Sequence, residues 1–188
     1  MTKNLPPFYS EIHAASKKAQ FDMPSTKKTG ALLRGLAASK PNGFFLELGT
    51  GTGLALTWIL DGMNAQAKII SVENNPKWLN IAHSFFDSNP QVTLIEKDAE
   101  SWIEQLKEAN FDLVFSDTWA GKFTHLEPVL DRINRGGFYV IDDLNPKSNW
   151  PEGHLKKVQL LKKKLRKRID FIEVRLNWDS GITIMIKK

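Results

Sequence analysis

Cysteine is absent from the 188 residues, so no disulfide and no thiolate metal site is available. That fits a reducing compartment. No apolar run approaches the ~20 residues needed to cross a bilayer. The opening stretch, MTKNLPPFYSEIH, lacks the apolar core of a secretory signal. A soluble, cytoplasmic protein with no membrane partner is therefore expected. Charge of one sign is also scarce: the formal net charge is +5, and much of it sits in one C-terminal segment. Internal repeats and low-complexity segments are lacking too. A chain of this length is expected to form one domain, burying roughly 70% of the surface its unfolded form exposes.

From Phe44 onward, strand-like runs alternate with helix-like runs. FFLELG, KIISVE, VTLIEKD, FDLVFSD and GFYVIDD are short and rich in β-branched or aromatic residues. LALTWILDGM, PKWLNIAHSFFDS, AESWIEQLKEA and THLEPVLDRI lie between them, with apolar residues at helical spacing. This alternation predicts an α/β fold, a mostly parallel Rossmann-like sheet with helices on both faces. DFIEVRLNW and GITIMIKK, separated by Asp179 and Ser180, predict a closing antiparallel hairpin. Residues 1–40 read as a helical arm, SEIHAASKKA and KKTGALLRGLAAS split by Phe21–Ser25, and 41–188 as the core. Asn145 to Gly153 is the best loop candidate.

The stretch FFLELGTGTGL poses a chemical question. Its glycines, Gly49, Gly51 and Gly53, follow an apolar strand directly, where a parallel sheet binds its ligands. Glycine there permits positive φ and close approach of backbone to a ligand, and the helix that follows offers free N–H groups. Leu54 breaks the G-x-G-x-x-G spacing of a dinucleotide fold, so a nicotinamide oxidoreductase is disfavoured. Glu47, two residues before the turn, repels phosphate and attracts a cation. A buried charge without a partner costs several kcal/mol, so its place in an apolar strand demands a reason. Glu73 ends the second strand, where a carboxylate accepts from ribose hydroxyls, with Asn74 beside it. Asp98 ends the third, placed to meet an adenine amino group beside Ala99; KDAES equally reads as a helix N-cap. Three carboxylates at three consecutive strand ends suit a cationic nucleoside such as S-adenosylmethionine.

ELGTGTG, SVENNP, EKDAESW, FDLVFSD, RGGFYVIDDL and DSGITIMIKK follow one another in an order that resembles class I S-adenosylmethionine-dependent methyltransferases. Within that class the chain looks most like the O-methyltransferases that include the catechol and caffeoyl-CoA enzymes. The likeness covers roughly Pro24 to Lys188 and implies a seven-stranded sheet with its last strand antiparallel. It also implies that Glu47, Gly49, Thr50, Gly51, Gly53, Glu73, Asn74, Asp98 and Ala99 shape the cofactor site, joined by Asp117 and Trp119. In the catechol-type group, an Asp after the fourth strand and an Asp-Asn pair after the fifth hold a divalent metal. By position Asp117 and Asp142 match the two aspartates, and Asp143 stands where that group has Asn. An all-oxygen set suits Mg²⁺, Ca²⁺ or Mn²⁺ rather than zinc. The group's lysine, three residues after the first aspartate, is Ala120 here; Lys122 lies two residues further on. Asp117, Asp142 and Lys122 are thus the catalytic candidates.

Other residues leave alternatives open. Trp119 and Trp102 could each stack on a ligand or sit half-buried. His13, His83, His125 and His154 show no metal-motif spacing and read as structural. The segment HLKKVQLLKKKLRKRID (residues 154–170) has Lys or Arg at eight of thirteen positions from Lys156 to Arg168, with Leu155, Val158, Leu161, Leu165 and Ile169 on one helical face. A solvated face is favoured there over a patch for RNA or an acidic partner. The function expected first is O-methylation of a small-molecule acceptor. The rivals are an RNA or protein methyltransferase docking through residues 154–169, and a cofactor-binding protein without catalysis. Self-association as a homodimer is left open.

Overall fold

Phe44–Leu48 forms β1, with four of its five residues buried, as a central parallel strand packed on both faces requires. It pairs in parallel with β2 (Lys68–Glu73) and β4 (Phe111–Ser116). With β3 (Val92–Glu96), β5 (Ile133–Ile141), β6 (Phe171–Leu176) and β7 (Ile182–Lys187), they make one seven-stranded sheet in the order β3-β2-β1-β4-β5-β7-β6. β7 is antiparallel to both its neighbours. This computed structural model describes residues 5–106, 109–147 and 150–188.

Alternation along β1 assigns the two faces. Phe45 packs into a core with Ile12, Leu33, Trp58 and Leu79, from α1 (Tyr9–Lys18), α2 (Lys27–Ala38), α3 (Leu54–Gly62) and α4 (Pro76–Phe86). Leu46 and Leu48 face the opposite core, which holds Ile103, Leu130 and Leu161 from α5 (Ala99–Glu104), α6 (Leu126–Asp131) and α7 (His154–Arg166). Local caps fix several helix starts: Thr26, Asn75 and Asp98 accept from the N–H of Thr29, Lys77 and Ser101. The chain runs from β1 outward to β3, then returns to lay β4 on the other side of β1. That reversal opens a crevice beyond the carboxyl ends of β1 and β4.

Four elements depart from the sequence reading. α5 stops at Glu104, short of the helix expected to Ala109; Lys107 and Glu108 lie outside the described residues. β5 starts at Ile133 rather than Gly137, because a register shift opposite Phe111–Leu113, with Gly136 at φ 70°, lets the strand begin earlier. Asn177–Gly181 joins β6 to β7, longer than a two-residue turn, with Asp179 and Gly181 at positive φ. On α7 the inward row is His154, Val158, Leu161 and Leu165; Leu155 is exposed, and Ile169 lies beyond the helix end and is 85% exposed. In the expected loop from Asn145 to Gly153, Ser148 and Asn149 lie outside the described residues. Among the described residues no helix is long and apolar enough to cross a membrane.

Candidate functional site

A cavity of about 730 Å³ fills the crevice and extends from the glycine turn to the ends of β4 and β5. Gly49, Gly51 and Gly53 all adopt positive φ. A Cβ on Gly51 would lie 2.8 Å from the ring of Phe21, which belongs to the α1–α2 connection and lines the cavity. A Cβ on Gly53 would lie 2.8 Å from Phe86, and Gly53 does not line the cavity. So the third glycine lets α3 pack on α4, while the first two shape the floor.

Glu73 is pinned by backbone: its Oε2 accepts from Gly51 N–H at 2.8 Å, and Oε1 from Asn74 and Asn75 at 3.0 Å each. Asp98 lines the cavity and also caps α5. The Ser101 N–H it accepts holds its carboxyl below the ordinary value. Thr50, Asn74 and Ala99 line the same half.

Glu47 lies behind this floor, fully buried and off the cavity wall. Its Oε2 accepts from Ser71 Oγ at 2.5 Å, and Ser71 is 2.5 Å from Thr50 Oγ1, which does reach the cavity. Its Oε1 has no partner. Burial pushes its carboxyl up to about 8, against the Ser71 hydrogen bond that lowers it; the charges of Asp117 and Glu73 add to the rise. The arrangement is a buried acid with its pKa raised above 7, linked through the hydroxyls of Ser71 and Thr50 to a residue that lines the cavity. An orphaned buried oxygen and a glycine floor fit a cationic, nucleoside-bearing ligand.

At the other end, Lys122 is 5% exposed and aims its ammonium between two aspartates. Nζ lies 4.0 Å from Asp117 Oδ1 and donates to the Asp142 carbonyl at 3.2 Å. Asp117 Oδ2 accepts from Ser25 at 3.3 Å; Asp142 accepts from Ser180, from Asp143 N–H at 2.6 Å and, at 3.5 Å, from Thr29. Burial, opposed by Lys122 and reinforced by neighbouring carboxylates, raises the pKa of Asp117 above the ordinary range, and burial likewise raises Asp142. Asp143, at φ 63°, pairs instead with Lys147. Among the described residues no three acidic or imidazole side chains are placed to share an ion. The three-aspartate metal set implied by the resemblance is therefore not assembled. The oxygens of Asp117 and Asp142 are committed to hydroxyls, an N–H and a lysine, a donor set that does not fit a divalent metal.

Above this point stands an aromatic wall of Trp119, Phe123, Trp150 and His154, with His154 centred 4.4–6.0 Å from the other three rings. Lys157 Nζ sits 3.8 Å over Trp119, which is half exposed. His154 is 8% exposed, yet neither ring nitrogen has a partner. Burial and the nearby Lys122 lower its pKa, so the ring is neutral at pH 7. Sequence spacing had no means to flag His154, since Trp119 and Phe123 reach it from the distant turn after β4. Phe21, Ser25 and Thr26 were equally invisible; they reach the cavity because the arm folds across it. Trp102, by contrast, packs against the core under α5 and does not line the cavity. The remaining histidines stay outside it: His13 stacks on Tyr9, His83 meets Asp87 and His125 meets Glu104.

A family model described as a methyltransferase domain matches residues 46–144. A Mycobacterium tuberculosis (strain H37Rv) protein named "probable O-methyltransferase" is 33% identical over 96 residues, 49% of this chain and 43% of that protein. The chain spans about half the length of the curated relatives it matches. Among solved structures, the O-methyltransferase TomG of Streptomyces achromogenes, involved in tomaymycin synthesis and crystallised with SAM, superposes with a TM-score of 0.86 at 19% identity, covering 100% of this chain and 92% of that one. The Bacillus cereus O-methyltransferase crystallised with SAH gives 0.85 at 17% identity, covering 100% and 94%.

Proposed function

The chain belongs to this methyltransferase-domain family, and from that premise we propose that it transfers a methyl group from S-adenosylmethionine to an oxygen of a small-molecule acceptor. The observation that carries the reading is the single cavity joining a glycine floor, with Glu47 behind it, to the Asp117–Lys122 pair. The names of the relatives, O-methyltransferases several of which were crystallised with SAM or SAH, support the same chemistry.

Gly49, Thr50, Gly51, Glu73, Asn74, Asp98 and Ala99 hold the cofactor, with Glu47 answering its charge through Ser71 and Thr50. The cofactor supplies an activated methyl group: the acceptor oxygen forms the new C–O bond as the C–S bond breaks and its electron pair stays on sulfur. Asp117, with its carboxyl raised toward neutrality, takes the acceptor's proton. Asp142 anchors the loop that presents Lys122, and Trp119 bounds the acceptor. Alignment of the two reactants supplies much of the rate. Residues 1–188 act as one domain, the arm (1–40) walling the cavity of the core (41–188), in a cytoplasmic setting. β6 leaves an open edge with Ile172 and Val174 exposed, which suits a homodimer that light scattering would detect.

Titration calorimetry with S-adenosylmethionine tests the reading. Saturable binding with micromolar affinity is expected; no binding overturns it. A second reading rests on the exposed lysines of α7, whose first turn reaches the cavity through His154. It predicts RNA affinity that falls steeply with salt. Binding of the cofactor without methylation of any acceptor would favour a non-catalytic role.

A further inference from the structure

We propose that the Lys122 ammonium is the resident cation of the acceptor end, holding the acceptor's oxygen where the resemblance to the catechol-type group implied a divalent ion. The inference rests on the methyltransferase reading and adds to it how the acceptor is held and which acceptors suit the site. Three features carry it. The ammonium is buried between Asp117 and Asp142, 4.0 Å from one carboxylate and 3.2 Å from the carbonyl of the other residue. Asp143, the third acidic residue of the stretch, is drawn off by Lys147. Ser25, Thr29 and Ser180 occupy carboxylate oxygens that a metal would need.

A lysine brings one positive charge where a divalent ion brings two, so its Coulombic pull on an oxyanion at the same distance is half as strong. Such a site lowers the pKa of a bound hydroxyl less. It therefore suits an acceptor whose oxygen is already acidic, a phenol or a carboxylic acid, over an aliphatic alcohol. Where the group it resembles has its lysine this chain has Ala120, and its lysine lies two residues along. From there it serves as the cation, leaving Asp117 to take the proton.

The test uses Mn²⁺ as probe, read by its electron paramagnetic resonance signal, on the full chain with and without S-adenosylmethionine. Wild type, Lys122→Arg and Lys122→Met are compared. Wild type and Lys122→Arg should leave Mn²⁺ free up to the millimolar range. Lys122→Met should bind it at least tenfold more tightly than wild type, because Asp117 then lacks the cation 4.0 Å away and can exchange its serine hydroxyl for the ion. Saturable micromolar Mn²⁺ binding by wild type would overturn the proposal whether or not the Met variant folds. A folded Met variant that gains no Mn²⁺ affinity would overturn it as well. Calorimetry with S-adenosylmethionine on the same wild-type sample separates the two claims. Lost cofactor binding refutes the methyltransferase reading, whereas the Mn²⁺ result judges Lys122 alone.

Discussion

Replacing Glu47 with Gln should flatten the pH dependence of stability. In the folded chain burial pushes this carboxyl from an ordinary 4.5 up to about 8. The unfolded chain therefore gives up the proton near 4.5, while the folded chain keeps it until about 8. Between those values the folded state binds more protons, so stability is fully present below 4.5, falls as pH rises through the window and levels off above 8. At ~1.4 kcal/mol per pKa unit, the 3.5-unit rise corresponds to at most about 5 kcal/mol lost across the window. Gln is neutral throughout and its amide oxygen still accepts from Ser71, so its stability should lack this slope. Urea unfolding at pH 5, 6, 7 and 8 measures the difference between the two proteins. The gap should widen steadily toward pH 8; parallel curves would refute the argument that Glu47 is neutral in the free protein. The same variant should bind S-adenosylmethionine at least about tenfold more weakly, ~1.4 kcal/mol, because it cannot ionise to meet a cation. A residue whose removal stabilises the fold and weakens the ligand has a functional reason for its place.

Other expectations follow from the same geometry. Gly53→Ala places a Cβ 2.8 Å from Phe86 at a φ of 92°, and should cost about 2–3 kcal/mol in urea unfolding; Phe86→Ala in the same chain should relieve the clash while the backbone strain persists. Trp119→Ala removes a half-exposed ring, so stability should shift by less than about 0.5 kcal/mol while the KM for an acceptor rises, as steady-state kinetics would show. Arg168 bridges Glu127, Asp131 and Asp170 across the end of α7, and Arg168→Ala should lower stability by about 1–2 kcal/mol, an effect that shrinks in high salt. Methyl transfer should rise with pH as Asp117 ionises and then plateau, and Asp117→Asn should abolish that limb of the kcat/KM profile.

The glycine-turn half of the cavity was legible in the sequence, because one chain segment carries both the strand and its turn. β1, β2 and β3 each announce themselves by a short strand-like run, and Thr50, Glu73 and Asp98 sit where those runs end. Even there Gly53, expected to shape the ligand site, packs against Phe86 and does not line the cavity, a difference that only the folded packing reveals. The acceptor half was much less legible. Asp117 and Asp142 were readable from strand ends, but the partners that settle their chemistry come from Ser25, Thr29, Lys122 and Ser180. Those contacts span sequence separations that no local pattern encodes. Lys122 illustrates the limit: its position two residues past Ala120 left its direction open, and only the turn after β4 brings it between the aspartates.

The placement of β7 has a consequence for assembly. β6 is synthesised before β7, yet the strand it pairs with in the sheet is β7, which separates it from β5. While the ribosome is still making the Asn177–Gly181 turn, β5 and β6 both wait with open edges. Ser180, in that same turn, then closes on Asp142, and Thr26 and Lys28 of the arm close on Asp179. The Asp142 end of the cavity is thus completed only after the β6–β7 turn has been made. A nascent chain can own its glycine turn and the strand ends beside it well before the opposite end of the crevice is closed.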